Sequence, residues 1–359
     1  MIRAVDLFCG AGGFTHGMRA AGIDVALGVD IEPAVQYAYE ANNPPARFMC
    51  ADVSEISGNA IRAAWGGARV TLLAGSPPCQ EFSRANSRRD PGSPRASLAA
   101  QFARLVEESE PDYVAAENVP GAATSAAYAK LIATLERLGY QVTLSTHDAA
   151  DYGVPQHRIR LLLLAARDWP ITMLSPAEVG ACGGRTVRDA IADLPPLEAG
   201  EADPDDPPHR AAALSPLNLE RARASRPGGT WRDLPEHLWP PRAHRGVCYR
   251  DAYGRMEWDR PSPTVTTLIH PSCGRFFHPE QDRCITLREV AMLQGFPRRY
   301  SFWPDAGHHV EAVARMIGNA VPPPLARAIG LSVIAHARVT GRLIETVKTV
   351  VDVEQYSGK

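Results

Sequence analysis

Lysine is nearly missing from this sequence. Of 38 basic residues in 359, only Lys130, Lys348 and Lys359 are lysine, and the rest are arginine. A GC-rich genome produces that bias without any function, yet arginine is also the side chain suited to forked contacts with phosphate and guanine. Net positive charge is missing too: 40 acidic residues leave a formal charge of −2, which excludes a basic nucleic-acid coat. No apolar run approaches the roughly 20 residues needed to span a bilayer. The first residues, Met1-Ile2-Arg3-Ala4-Val5-Asp6, read directly as a strand, so no secretory or transit peptide is expected. The seven cysteines, at 9, 50, 79, 182, 248, 273 and 284, are odd in number and contain no CxxC pair. Neither a disulfide framework nor a zinc site is supported, and a reducing compartment fits. A GxxxxGK[ST] loop is absent, which excludes a P-loop nucleotide site. There is no internal repeat. The expectation is a soluble cytoplasmic protein that meets no membrane and holds no metal.

With 45% apolar and 22% charged residues, the chain has an ordinary globular composition and the length of two domains or one large α/β domain. Its first 166 residues alternate strand-like and helix-like stretches. Strands are expected at 2–8, 24–30, 46–49, 69–74, 112–116, 140–147 and 159–166, most of them short and apolar without polar alternation, as in strands covered on both faces. Helical patterns lie between them, for example around 12–21, 32–42, 98–109 and 124–138. Repeated βα units imply a right-handed, doubly wound, mostly parallel Rossmann-like sheet. From about 176 to 260 Pro, Gly, Asp and Arg become frequent, and Glu201 to Pro208 reads as an exposed turn or linker. Helical patterns return near 286–294 and across 310–340. The organisation expected is therefore an α/β domain over 1–175, a second, smaller irregular domain with its hinge over 176–307, and a helical segment over 308–359 that returns to the first.

The first strand runs into Asp6-Leu7-Phe8-Cys9-Gly10-Ala11-Gly12-Gly13-Phe14, and a helix follows. Glycines at a strand-to-helix turn let backbone approach a ligand, with the helix N-terminus facing it. The second strand ends at Asp30, where doubly wound folds hold ribose hydroxyls, and the third is followed by Asp52-Val53 at the same sheet edge. A nucleoside-containing cofactor is implied. The dinucleotide pattern GxGxxG needs glycine at 15, where Thr15 stands, so S-adenosylmethionine is favoured over NAD.

The fourth strand ends in Gly75-Ser76-Pro77-Pro78-Cys79-Gln80. Two prolines stiffen the backbone and aim the next side chain from the carboxyl edge of the sheet, so Cys79 reads as a nucleophile. Cys9 and Cys50 read instead as small buried hydrophobes. The fifth strand ends at Glu117-Asn118-Val119-Pro120, again at the carboxyl edge. Arg158 and Arg160 of Gln156-His157-Arg158-Ile159-Arg160 alternate where the seventh begins, so both could share a face. A thiol, a carboxylate and two guanidiniums beside an adenosyl cofactor make a reaction site. Residues 81–104 add five arginines (Arg84, Arg88, Arg89, Arg95, Arg104) against Glu81 and Asp90. Such a loop suits phosphate contacts and lid closure, and equally an ordinary solvated surface.

Together DLFCGAGGF, GSPPCQ, ENV, QHRIR, RPSPTVTT and GNAVPPPLA resemble the DNA cytosine-5 methyltransferase family, bacterial type, in the order of its motifs. The resemblance leaves out only about 176–245 and implies a class I S-adenosylmethionine-dependent methyltransferase fold. It implies Cys79 as the nucleophile that adds to C6 of a flipped cytosine. Glu117 would hold or protonate N3, and Arg160, with Arg158, would bind the base carbonyl and the developing charge. For S-adenosylmethionine it implies Phe8, Gly10, Ala11, Gly12, Gly13, Asp30, Ile31, Asp52, Val53, Asn319 and Val321. Relatives often carry an aromatic residue where Ile31 stands, which weakens stacking on adenine, and Ala96 replaces a usual glycine after Arg95. Contacts to double-stranded DNA are expected from Ser83, Arg84, Arg88, Arg89, Gln156 and Arg232. Further base readers are sought among Arg221, Arg223, Arg226, Arg242 and Arg245, with Trp231 either beside them in a groove-facing loop or in the core.

A monomer is expected, with a cognate restriction endonuclease acting on the same site as a candidate partner. The rival within the family is a tRNA cytosine-5 methyltransferase, whose Cys-Phe-Thr tripeptide this chain lacks. A zinc deaminase, suggested by His278-Pro279-Glu280 and Pro78-Cys79, needs a second cysteine where Phe82 stands. A dehydrogenase fails at Thr15. The non-enzymatic alternative, an inactive DNA-binding scaffold, is disfavoured by the presence of Cys79, Glu117, Arg160 and Asn319.

Overall fold

Runs such as Leu72-Leu73-Ala74 and Leu161 to Ala166 are apolar at successive positions because successive side chains point to opposite sides of a sheet covered on both. In the computed structural model, which describes residues 1–78, 97–243, 248–304 and 310–343, seven strands form that sheet. They are β1 (Ile2–Leu7), β2 (Asp24–Asp30), β3 (Arg47–Cys50), β4 (Val70–Gly75), β5 (Tyr113–Asn118), β6 (Gln141–Asp148) and β7 (Ile159–Ala166), each within two residues of its expected span. Their order is β3-β2-β1-β4-β5-β7-β6. β1 to β5 pair in parallel, while β7 inserts antiparallel to both of its neighbours. Sequence reading does not foresee that inversion. It carries the start of β7 to the same edge at which the parallel strands end.

On one face Ala4, Val25, Leu72 and Leu164 meet Phe14 and Met18 of α1 (Gly13–Ala20) and Leu325, Ile329 and Val333 of α10 (Pro323–Val339). On the other, Val5, Leu73, Val114 and Leu163 meet α3 (Gly58–Trp65), α4 (Ser97–Ser109) and α5 (Ala126–Arg137) through Ile61, Phe102, Val106 and Leu131. α1 and α10 approach so closely that a Cβ on Gly17 would sit 2.2 Å from the Pro323 carbonyl oxygen and 2.4 Å from Ala326 Cβ. Gly17→Ala should therefore cost about 2–4 kcal/mol in urea unfolding, because backbone and not a pliable side chain must retreat. A wild-type midpoint would show that α10 can slide away freely.

The remaining helices are α2 (Gln36–Asn42), α6 (Val187–Ile191), α7 (Pro216–Ala224), α8 (Leu287–Leu293) and α9 (Val310–Asn319). The helical pattern across 310–340 is divided after Asn319, where Pro322, Pro323 and Pro324 lack the amide donors needed to continue one helix. α8 starts with a capping box between Thr286 and Glu289. No helix among the described residues is long and apolar enough to cross a membrane.

Between α6 and α8 the chain holds together with little regular structure. Trp231, Leu234, Leu238, Tyr253, Phe277 and Cys284 form a small core of their own. The buried Arg255 guanidinium replaces a ladder of strand bonds, donating to carbonyls of Ala222, Ser225, His278 and Gln281 and pairing with Asp282. Fixed carbonyls around one delocalised cation can tie several loops together without strands. The turn at 201–208 is not a free linker: Asp206 forms a two-pronged ion pair with Arg288 of α8, at 2.7 and 2.8 Å.

Candidate active site

The carboxyl edge of the sheet gathers the chain's most distinctive residues. Beyond β1, Phe8 takes φ 57, Gly10 φ 50 and Gly12 φ 89, a left-handed turn that delivers the chain into α1. These glycines have different reasons. A Cβ on Gly10 would meet nothing within 4 Å among the described residues, and its amide donates to Asp30 Oδ2 at 2.9 Å. A Cβ on Gly12 would strike Asn43 Nδ2 at 2.4 Å, and one on Gly13 the Val321 carbonyl at 2.5 Å. Gly10 is open on its Cβ side, whereas Gly12 and Gly13 are small on that side for their protein neighbours. The Ala11 carbonyl accepts the Tyr300 hydroxyl, a support that no sequence pattern announces.

Asp30 ends β2 with its carboxylate held by the amides of Gly10 and Glu32. Burial raises its pKa above the ordinary range, with the two amides working against the shift. Asp52 lies beyond β3, and the amide and hydroxyl of Ser54 both donate to its Oδ1 and lower its pKa. Val53 is buried, and Ile31, 65% exposed, leaves an apolar side chain uncovered next to Asp30. Asn319 is exposed at the end of α9, and Val321 is buried against the glycine turn. Two carboxylate acceptors, an open glycine face and an uncovered aliphatic side chain suit the diol, amine and ring of an adenosyl cofactor. The residues present fit that group.

Behind the turn lies Asp6, 1% exposed, whose Oδ2 accepts the Thr15 hydroxyl while Oδ1 has no partner among the described residues. Thr15, which breaks the dinucleotide pattern, thus serves as the donor to a buried carboxyl. Burial pushes the Asp6 carboxyl from 3.8 up to about 7. Between those values the unfolded chain has released its proton and the folded one has not, so this group's contribution is full below pH 4 and declines as pH rises to 7. Asp6→Asn should remove that decline. Relative to the variant, wild type should lose on the order of a few kcal/mol between pH 4.5 and 8 in urea titrations. Parallel curves for the two proteins would exclude a proton held by Asp6.

Cys79 lies outside the described residues, as do Ser83, Arg84, Arg88, Arg89 and Arg95. The approach to Cys79 is described. The Ser76 amide donates to the Leu7 carbonyl, and Asn118 Nδ2 to the Pro77 carbonyl at 3.1 Å. Asn118, given no role by sequence reasoning although ENV contains it, fixes the backbone two residues before the thiol. Glu117 and Asn118 stand opposite Leu162 and Leu161, so the inverted strand puts Arg160 beside Glu117. Arg160 Nε lies 2.8 Å from Glu117 Oε1, with side chains 11% and 7% exposed. That oxygen has ion-pair distance without hydrogen-bond alignment, so its bonding direction is left for another donor. A planar ring edge offering both a donor and an acceptor would satisfy such a pair.

Several expectations require correction. Arg158 does not join Arg160 at Glu117. It is 3% exposed, and its guanidinium donates to the carbonyls of Val265, Gly318 and Ala320. Gln156, expected on DNA, is fully buried, bonding the Leu293 carbonyl, Gln294 Oε1 and the Val265 amide. A buried amide with its bonds satisfied has no face to offer a duplex. Arg104 belongs to α4 and holds the carbonyls of Val53 and Ile56. Cys9 is buried as expected, but Cys50 is exposed on the edge strand β3. Of the arginines sought as base readers, Arg221 is buried over the Tyr253 ring, and Arg226 is paired with Asp233. Arg223 reaches toward Asp282, and Arg245 lies outside the described residues. Trp231 is a core residue whose indole donates to the Tyr249 carbonyl, and Arg232 is exposed across its ring.

The family model described as C-5 cytosine-specific DNA methylase matches residues 2–335. The chain is 42% identical over 335 residues to the type II methylase M.HgiDII of Herpetosiphon aurantiacus, covering 92% of this chain and 94% of the relative. It is 36% identical to the type II methyltransferase M1.HphI of Haemophilus parahaemolyticus, covering 92% and 86%. Among solved structures, a prophage-encoded E. coli protein described as a DNA modification methyltransferase superposes with TM-score 0.72 at 24% identity, covering 93% of this chain and 99% of that one. The Dnmt2 methyltransferase of S. pombe superposes with TM-score 0.65 at 17% identity, covering 95% and 100%. At those identities the structural likeness concerns the fold alone.

Proposed function

Because the chain belongs to the C-5 cytosine-specific DNA methylase family, whose members transfer the methyl group of S-adenosylmethionine to C5 of cytosine in DNA, we propose the following division of labour among its residues. Cys79, as thiolate, adds to C6 of the target cytosine. Glu117 holds N3 and shares its proton, drawing electrons from C6 so that addition is possible. Arg160 binds the base carbonyl and the charge that grows on it. When bound, S-adenosylmethionine supplies the electrophilic methyl that C5, made electron-rich by the neighbouring addition, takes up. Loss of the C5 proton and departure of Cys79 restore the aromatic ring. Phe8, Gly10, Ala11, Gly12, Gly13, Asp30, Ile31, Asp52, Val53, Asn319 and Val321 hold the cofactor. The observation that carries this reading is the aligned edge, where the Ser76-Pro77-Pro78 approach to Cys79 is bonded to Asn118 and the Glu117–Arg160 pair is nearly buried beside it.

A base within a duplex cannot reach that edge, so the target is flipped out, at a cost of a few kcal/mol. The segments around Ser83, Arg84, Arg88, Arg89 and Arg232 supply DNA contacts. The division into 1–175, 176–307 and 308–359 corresponds to catalysis, target recognition and return. The names of the two bacterial relatives support a site-protecting role in a restriction-modification pair in the bacterial cytoplasm.

The test incubates purified protein with S-adenosylmethionine and mixed-sequence duplex DNA, with tRNA in a parallel tube, and looks for 5-methylcytosine by nucleoside mass spectrometry. Methyl in the DNA at one recurring sequence is expected. Signal in tRNA alone, or in neither tube, overturns the proposal. Asp30→Ala should weaken cofactor binding roughly 10- to 100-fold in equilibrium dialysis, as expected for lost hydrogen bonds to a carboxylate. Unchanged binding would remove Asp30 from the cofactor site.

A further inference from the structure

Three stretches far apart in sequence meet at Arg158, two residues before Arg160. The first is 155–158, leading into β7. The second is 262–267, within the RPSPTVTT motif. The third is 318–321, the end of α9 and the turn into α10. Ser262 and Thr264 bond the first stretch through backbone and hydroxyl: the Ser262 amide donates to the Pro155 carbonyl, and the Thr264 hydroxyl to the His157 carbonyl at 2.7 Å. The third is packed onto the second with no slack, since a Cβ on Gly318 would sit 2.6 Å from the Thr266 carbonyl oxygen.

At the centre is Arg158. Its guanidinium donates to Gly318 at 2.8 Å, to Val265 at 3.2 Å and to Ala320 at 3.3 Å, all to main-chain carbonyl oxygens. Gln294 donates to the same Ala320 carbonyl at 2.8 Å and accepts from Gln156 at 2.7 Å. One residue past Ala320, the Val321 carbonyl lies against Gly13, where the glycine turn becomes α1. Two residues past Arg158 in the other direction is Arg160. A single buried cation therefore lies on a short covalent and hydrogen-bonded path from the base-binding pair to the wall of the cofactor turn.

We infer that Arg158 is a positioning residue that holds the Gly318–Val321 turn against the start of β7, so that the cofactor pocket keeps its shape only while this guanidinium bridges the three stretches. The inference rests on the proposed cofactor site. It has a chemical reason. The carbonyls of Gly318 and Ala320 close a helix whose continuation is barred by proline, so they need outside donors, and a planar cation can serve several at fixed angles. Lysine has the charge without the fork. A group engaged in this way neither reads a base nor neutralises a phosphate.

The experiment compares wild type, Arg158→Lys, Arg158→Gln, Gln294→Leu and Asp30→Ala. S-Adenosylhomocysteine is the probe in equilibrium dialysis without DNA, and duplex DNA affinity is measured across salt. Arg158→Lys should weaken S-adenosylhomocysteine at least about tenfold, and Arg158→Gln, which also removes the charge, should leave the salt slope of DNA binding as in wild type. Gln294→Leu, which removes the second donor to Ala320 and the Gln156 contact but leaves the Arg158 bridge in place, should weaken it less. Melting curves separate an unfolded variant from a folded one with a loosened pocket, and Gln294→Leu carries the test if Arg158→Lys does not fold. Unchanged S-adenosylhomocysteine affinity in both folded variants, with Asp30→Ala weakened, overturns the inference and keeps the cofactor site. A DNA salt slope lowered by about one in Arg158→Gln, which removes the charge that lysine keeps, makes Arg158 a phosphate contact and also overturns it. If Asp30→Ala binds normally, the cofactor site itself is wrong.

Discussion

Replacing Cys79 by alanine should lower single-turnover methyl transfer on the order of ten-thousand-fold or more, while S-adenosylhomocysteine still binds as in wild type. Cytosine C5 is too electron-poor to attack a methyl donor, and only addition of a thiolate at C6 changes that. No other residue can take over the step, because the loss is of a bond and not of a binding contact. DNA bearing 5-fluorocytosine at the target supplies an independent readout. Its C5 fluorine cannot leave as a cation, so the adduct with Cys79 should persist as a species stable to denaturation, and Cys79→Ala should form none. Near-normal turnover by Cys79→Ala, or an adduct that survives its removal, would refute the covalent route.

Glu117→Gln should reduce turnover about 100- to 10,000-fold, the range expected for losing a positioned acid–base group. Glutamine can still accept a hydrogen bond but cannot share a proton with N3, so C6 stays a poor acceptor for the thiolate. The cofactor site is separate, and S-adenosylhomocysteine affinity should not move. Because the Glu117 and Arg160 side chains are 7% and 11% exposed and 2.8 Å apart, the two positions should not act independently. Arg160→Lys combined with Glu117→Gln should cost clearly less than the product of the single losses. Independent effects would mean that the pair does not meet the base together. A Glu117→Gln enzyme at wild-type speed would show that N3 needs no proton.

The sheet was readable because its strands are short, apolar and punctuated by glycine, proline and acid at their carboxyl ends, a local pattern that hydrophobic burial enforces. The second domain was not. Its loops are tied by Arg255 and the ion pair of Asp206 with Arg288, and contacts of that kind leave no period in the sequence. Arginine was the residue most often misjudged. Arg221 and Arg158 look like nucleic-acid ligands on paper, yet both guanidiniums are buried on carbonyl oxygens. A formal charge says nothing about where its partners are.

By itself, then, the sequence determined which residue types stand at the strand ends where the proposed chemistry takes place. Cys79 after two prolines, Glu117 at a strand end, acids at 30 and 52 and a glycine turn after the first strand are local statements about strand ends that read as a nucleophile, a carboxylate beside it and an adenosyl site, and the resemblance to a family added the proposed role of Glu117 toward the base. Only the tertiary structure decided which of two alternating arginines faces Glu117, which glycine is open on its Cβ side, and which turn the buried cation secures. Those depend on the inversion of β7 and on the return of the chain through α9 and α10, which set residues more than 100 positions apart within hydrogen-bonding distance.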